Sequence, residues 1–83
     1  MIVKIHPHAA DRLEERGALL GEVIATVETG EKFSAKFGRF GFRRNFEFNN
    51  QWRGKSYSTK QVEAYAVEEA GGWLVITVIT RFF

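Results

Sequence analysis

Three side chains near the start of the chain recur at every fourth position: His8, Arg12 and Arg16. Residues four apart lie on one face of an α-helix, so this spacing places an imidazole beside two guanidinium groups. Histidine changes charge near neutral pH, and arginine binds phosphate. This face is therefore suited to acid–base chemistry on an anion. In the alternative, His8 forms only local hydrogen bonds, and Glu15 and Glu28 are the partners of the arginines.

Two further cations stand where strand alternation predicts an apolar face. Arg44 falls on the same strand face as Phe42 and Phe46, and Lys60 on the same face as Val62. An unpaired charge cannot stay in a core, so each must reach a carboxylate, an edge of the sheet or a cleft. We expect Arg44 and Lys60 to lie close together at a rim, where two cations can hold a phosphate or stabilise its charge under attack. An ion pair with a glutamate is the structural alternative. The candidate catalytic residues are thus His8, Arg12, Arg44 and Lys60.

The net charge of +2 conceals an uneven distribution along the chain. Residues 32–60 hold eight basic and one acidic side chain, a net charge of +7, against −3 for residues 1–31 and −2 for residues 61–83. Aromatic side chains alternate with these cations, as a polyanion-binding surface requires. An ordinary solvated strand face is the alternative. We expect Lys32, Lys36 and Arg43 to point outwards. The candidate nucleic-acid-binding residues are Arg16, Lys32, Lys36, Arg39, Arg43, Arg53, Lys55 and Tyr57.

The sequence lacks the residues that several kinds of chemistry require. The chain has no cysteine, and its only two histidines, His6 and His8, lack a third ligand at a suitable spacing, so we expect no metal site and no cofactor. It also lacks a phosphate-binding glycine loop and a nucleophile elbow. The remaining residues are compatible with metal-independent acid–base catalysis on a phosphodiester. RNA suits such work because its 2′-hydroxyl is a built-in nucleophile.

The elements that position these residues follow from periodicity. A chain of 83 residues can close one core, so we expect a single domain, 1–83. The predicted fold class is α+β: a strand, two short helices, then a four-strand antiparallel meander, with the helices packed on one face of the sheet. Gly71-Gly72 is the predicted last hairpin turn, and residues 49–55 are a predicted loop. The predicted strands are 2–5, 32–37, 42–48, 57–69 and 73–82, and the helices are 9–16 and 20–29.

The lengths of the apolar runs indicate where in the cell the protein is located. The run at the N-terminus is too short for a signal peptide, and residues 73–79 are too few to span a bilayer. With the absence of cysteine, these features predict a cytoplasmic protein that does not enter a membrane.

Two stretches of the chain resemble a known family. His8-x-x-x-Arg12-x-x-x-Arg16-Gly17, with Glu22-Val23 and Gly30 after it, resembles the opening of domain-of-unknown-function family 4258. Residues 52–62 and 75–78 resemble its sheet portion, so the resemblance covers nearly the whole chain. One departure is Leu19, where relatives tend to have a Ser or Thr helix cap. The residues that match the family's polar positions are His8, Arg12, Arg16 and Lys60.

This family is similar to the RelE and ParE toxin group, whose fold packs helices against a curved antiparallel sheet. The resemblance implies a toxin-like, metal-independent endoribonuclease acting on RNA, with a cognate antitoxin protein as a possible partner. The alternative is a non-catalytic module that binds nucleic acid or, like ParE, docks onto a protein.

Overall fold

The computed structural model describes residues 2–83. It is an α+β fold in which three helices accompany a five-stranded mixed sheet, and the α+β class predicted from the sequence is confirmed. In chain order, the elements are β1 (Val3–Ile5), α1 (Pro7–Ala10), α2 (Leu13–Arg16), α3 (Leu20–Thr29), β2 (Glu31–Ser34), β3 (Phe40–Trp52), β4 (Lys55–Glu69) and β5 (Gly72–Phe82).

The sheet differs from the predicted four-strand antiparallel meander in both strand number and order. Its order is β1-β5-β4-β3-β2, and β1 pairs with β5 in parallel while all other pairs are antiparallel. Backbone hydrogen bonds join the two strands, from Trp73 N to Ile2 O and from His6 N to Val75 O, both at 2.8 Å. The N-terminal strand thereby covers part of an apolar edge that β5 would otherwise expose.

The first predicted helix is divided into two. Pro7 starts α1 at the position where its missing N–H is harmless. The Arg12 N–H bonds to Ala9 O, three residues back, which interrupts the α-helical pattern. α2 then begins at Leu13 and ends at Arg16, and Gly17 follows in the left-handed conformation. Among the described residues, no helix has the length and apolar character needed to span a membrane.

The third helix, α3, has an unusual start. Leu19 precedes it without a capping side chain, which predicts a frayed first turn. Instead, the carboxylate of Glu22 accepts a hydrogen bond from Leu19 N at 3.0 Å and so caps the helix from within.

A single core lies between the helices and one face of the sheet. α3 packs on β3 and β4, whereas α1 and α2 pack on β5. We call this side the helical face and the other the open face. The core consists of Leu13, Ala18, Val23 and Val27 from the helical segment, and Phe42, Val62, Ala64, Ala66, Trp73, Val75 and Val78 from the sheet.

Several predicted boundaries are wrong. β3 continues to Trp52 instead of giving way to a loop at residue 49, because Arg53-Gly54 makes a two-residue turn with φ of 51° and 83°. The last hairpin turns at Ala70-Gly71, since Gly72 is already paired with Glu69.

The predicted strand 32–37 also ends early. β2 stops at Ser34, and Phe37, which alternation places in the core, is 86% exposed. Alternation requires extended backbone, and Phe37 has a φ of 62° instead.

Candidate nucleic-acid groove along β5

Lys60 is buried, with only 5% of the residue exposed. Its Nζ donates to Glu22 Oε1 at 2.8 Å and to Gly17 O at 2.9 Å, and it lies 5.2 Å from the centre of the Phe48 ring. The rim position expected for this lysine is therefore wrong, and the glutamate ion pair is what the structure contains. The pair ties the start of α3 to β4.

Arg44 lies at the other end of α3. Its Nη1 donates to the hydroxyl of Thr29 at 2.8 Å, and its guanidinium lies 4.8 Å from the Phe46 ring. Thr29 follows Glu22, the partner of Lys60, by seven residues, which is about 10 Å along a helix. Arg44 and Lys60 therefore bind to opposite ends of α3, and the expected pair of neighbouring cations is not formed.

The basic side chains near the N-terminus, by contrast, lie together. His8, Arg12 and Arg16 line a cleft of about 240 Å³ beside the backbone of residues 76–78 in β5. The cleft exists because β1 pairs with β5 only up to Val75, and past that point no strand of the described chain covers this edge. The α1–α2 segment crosses there instead. The division of the predicted helix does not separate the three side chains.

A second cleft continues the first. It has a volume of about 270 Å³ and is lined by Glu15, Arg16, Trp52, Arg53, Thr80 and Phe82, so the two clefts share Arg16. Together they follow the free edge of β5 from its middle to its end. We call this continuous surface the β5 groove; its basic and aromatic residues are His8, Arg12, Arg16, Trp52, Arg53 and Phe82, and Glu15 also lines it.

Two arginines in the β5 groove are held by neutral partners. Arg16 Nη1 donates to Val78 O at 2.9 Å, and Arg53 Nη2 donates to Glu15 O at 2.7 Å. A carbonyl oxygen orients a guanidinium without cancelling its charge, so both cations keep a full positive charge and further donors. The Thr80 hydroxyl donates a hydrogen bond to Arg16 O. Arg12, in contrast, has an exposed ion pair with Glu15 at 3.4 Å, which contributes little and exchanges readily.

An aromatic stack closes the far end of the β5 groove. The rings of Trp52 and Phe82 lie 5.2 Å apart at 15° to each other, and the Arg53 guanidinium lies 5.1 Å from the Trp52 ring. Gly17 makes this possible, because a Cβ there would come within 2.9 Å of the indole ring and its φ of 70° favours glycine. The β3–β4 hairpin therefore reaches α2 through Trp52.

The other predicted nucleic-acid-binding residues are dispersed. Lys32 is exposed, but its pairing with Phe42 places it on the helical face, where its Nζ lies over the rings of Phe40 and Trp73 at 4.4 and 5.0 Å. Because successive strand residues face opposite ways, the basic stretch 32–60 divides between both faces and both ends of the sheet. Lys36 and Arg39 lie in the β2–β3 loop, Lys55 starts β4, and Tyr57 packs on Phe82 at 5.6 Å.

Arg43 belongs to a cluster on the open face that sequence reasoning missed. Glu63 is only 3% exposed, and its carboxylate accepts hydrogen bonds from Arg43 at 2.9 Å, Arg81 at 3.1 Å and the Tyr65 hydroxyl at 2.6 Å. Glu31 is a second partner of Arg43 at 3.4 Å. Glu63 and Tyr65 are two residues apart on one predicted strand, which indicates that they lie on the same face. Their pairing with Arg43 and Arg81 depends on the strand order and does not follow from the sequence.

These contacts shift two pKa values in opposite directions. Burial alone would raise the pKa of Glu63, but the hydrogen bonds from Tyr65 and Arg43 and the charge of Arg81 outweigh it and lower the pKa below its ordinary 4.5. The hydrogen bond to Glu63, followed by burial, raises the pKa of Tyr65 above 10.0. The cluster is thus stable as an ionised glutamate beside a neutral tyrosine.

The structure therefore brings together some of the candidate residues and separates others. His8, Arg12, Arg16 and Arg53 share the β5 groove, whereas Lys60 and Arg44 lie outside it. Comparisons with protein-family models, with curated proteins and with solved structures found no match.

Proposed function

We propose that this chain binds single-stranded RNA in the β5 groove. The observation that carries the proposal is the pair Arg16 and Arg53, both oriented by carbonyl oxygens and both left with an unneutralised charge. Guanidinium groups fixed in this way match the bidentate geometry of phosphate oxygens. Arg12 and His8 extend the same line of donors along the edge of β5.

The aromatic end of the groove favours a single strand over a duplex. Proteins that bind single strands combine a cationic groove for the backbone with aromatic rings on which bases stack. Trp52, stacked on Phe82 and with the Arg53 guanidinium over its ring, supplies an aromatic and cationic surface at one end of the cationic line. A base inside a duplex is already stacked and would not be free to use it.

RNA cleavage is a second candidate, and the position of His8 favours it. This exposed imidazole shares a cleft with Arg12, so a 2′-hydroxyl bound there could give its proton to His8. The 2′-oxygen would then attack phosphorus, and the 5′-oxygen would leave with a proton from water. The products are a 2′,3′-cyclic phosphate and a 5′-hydroxyl, and Arg12 would stabilise the charge on the phosphate.

A resemblance to the RelE and ParE toxin group agrees with both RNA binding and RNA cleavage. We propose in addition that the protein is cytoplasmic and that it has a cognate antitoxin protein. Protein docking of the ParE kind is the outcome expected if the purified chain binds no nucleic acid at all.

Binding is tested with a fluorescent single-stranded RNA and the variants Arg12→Gln and Arg53→Gln. Each variant should weaken binding and reduce the slope of log affinity against log salt by about 0.7 per lost phosphate contact. Arg44→Gln is the matched control, since it removes one exposed charge outside the groove. Equal weakening by all three variants would mean that net charge, not the groove, binds the RNA.

Cleavage is tested separately, in the presence of EDTA. The chain should cut RNA but not a strand of the same sequence with 2′-deoxy sugars. His8→Ala should abolish the activity. His6→Asn is the control, because His6 Nδ1 accepts a hydrogen bond from His8 N and asparagine can replace it as a cap. Undiminished cleavage by His8→Ala would remove this candidate while leaving the binding proposal intact.

A further inference from the structure

A cleft on the open face shares Thr77 with the β5 groove and is otherwise lined by different residues. It has a volume of about 430 Å³, within the range of small-molecule sites. We call it the Phe37 cleft. Its lining includes the aromatic residues Phe33, Phe37 and Tyr65, the cations Lys36 and Arg39, and Thr77.

The floor of the Phe37 cleft is one row of residues across four strands. Phe33 is paired with Gly41, Gly41 with Tyr65, and Tyr65 with Thr77. Gly41 has no side chain, and the Phe33 ring occupies the space that a Cβ would need. The rings of Phe33 and Tyr65 meet edge to face at 6.1 Å, so a partly exposed aromatic floor faces solvent.

The wall of the cleft is a strained and exposed phenylalanine. Phe37 is 86% exposed and has a φ of 62°, in the left-handed region that bulky residues avoid. Backbone hydrogen bonds from Ala35 N to Arg39 O, at 3.0 Å, and from Arg39 N to Lys36 O, at 3.3 Å, close the loop around it. Strain of this kind persists where surrounding structure imposes it, and it concentrates at ligand sites.

The rim of the cleft is cationic. Lys36 and Arg39 flank Phe37, and the Arg39 guanidinium lies 5.9 Å from its ring. Every ion pair within residues 2–83 is made by other side chains, so these two charges are free for an external anion. Ser34 and Thr77 add hydroxyl groups at the apolar floor.

We propose that the Phe37 cleft binds a nucleotide, with the base against Phe33, Tyr65 and Phe37 and the phosphate between Lys36 and Arg39. A flat ring joined to an anion is the chemistry that an aromatic floor with a cationic rim complements. The nucleotide can be a free mononucleotide or one unit of an RNA strand. The site is independent of the proposal for the β5 groove.

The test is titration of the full chain with AMP, adenosine and inorganic phosphate, followed by NMR. AMP should shift the signals of the cleft residues and bind more tightly than either fragment. Phe37→Asn, which tolerates the left-handed backbone, should weaken AMP binding at least about fivefold, the low end of the stacking range. Lys36→Gln with Arg39→Gln should reduce AMP binding to the level of adenosine.

Arg44→Gln, outside both clefts, is the control and should leave AMP binding unchanged, and the NMR signals that shift show whether AMP lies in the Phe37 cleft or in the β5 groove. Displacement of AMP by an RNA oligonucleotide would assign the site to a strand, and lack of displacement to a free nucleotide. AMP binding no tighter than that of inorganic phosphate, or unchanged in Phe37→Asn, would overturn the proposal. Both variants lie in an exposed loop, and circular dichroism verifies their folding.

Discussion

The ammonium of Lys60 and the carboxylate of Glu22 lie 2.8 Å apart, between the middle of the sheet and the first turn of α3. The same carboxylate oxygen caps Leu19 N, so one glutamate satisfies a buried cation and a free helix N–H. A residue that resembles a catalytic lysine in the sequence is thereby a structural residue in the fold.

Replacing Lys60 with Met should destabilise the fold by about 3 kcal/mol, because it leaves Glu22 largely buried without its cation. Urea unfolding measures the loss. The double variant Lys60→Met, Glu22→Gln should recover part of it, since no uncompensated charge remains. RNA binding by the folded fraction should persist, and specific loss of binding or cleavage without loss of stability would return Lys60 to the functional site.

The Glu63 cluster predicts a stability loss in acid. The pKa of Glu63 is lower in the folded chain than its ordinary 4.5, so its contribution is complete above about pH 4.5 and disappears as the pH falls through the folded value. The free energy of unfolding, measured in urea from pH 7 to pH 3, should fall less steeply in Glu63→Gln than in the unmodified chain. Parallel curves would show that the ionised carboxylate does not stabilise the fold.

Tyr65 predicts the opposite dependence in alkali. Because its pKa is raised in the folded state, its contribution is complete below about pH 10 and is lost as the pH rises through the folded value. Ultraviolet titration should show one tyrosine ionising late, and Tyr65→Phe should remove that step. Tyr57→Phe is the control and should leave the late step in place.

Gly17→Ala should be more damaging than Gly38→Ala, although the two glycines have φ of 70° and 71°. Backbone strain costs about 1 kcal/mol at either position. At Gly17 the new Cβ also meets the Trp52 ring at 2.9 Å, whereas at Gly38 it meets nothing within 4 Å. Overpacking should add about 1–3 kcal/mol at Gly17. Thermal unfolding and tryptophan fluorescence compare the two variants. Equal losses of stability would mean that the Trp52 ring moves aside without cost.

Much of the local structure could be predicted from the sequence. The α3 stripe, the placement of Arg44 and Lys60 on the apolar side of their strands, and the glycine-containing turns follow from backbone periods of 3.6 and 2 residues. Where local geometry departs from these periods, as at Phe37 with its positive φ, prediction from alternation fails.

The candidate site was only partly predictable. His8, Arg12 and Arg16 are close in sequence, and their four-residue spacing survives the break between α1 and α2. Arg53 joins them from a hairpin 38 residues beyond Glu15, whose carbonyl it binds. Such a contact depends on where β3 and β4 lie relative to α2, and local spacing does not specify that.

The sequence by itself determined that His8, Arg12 and Arg16 share one face of a helical segment and that Lys60 must find a partner inside the fold. Only the tertiary structure decided that this partner is Glu22, and that β1 stops pairing at Val75 and leaves an edge of β5 for the arginines. The physical reason is that periodicity assigns each side chain to a face, whereas strand order and register decide which faces meet.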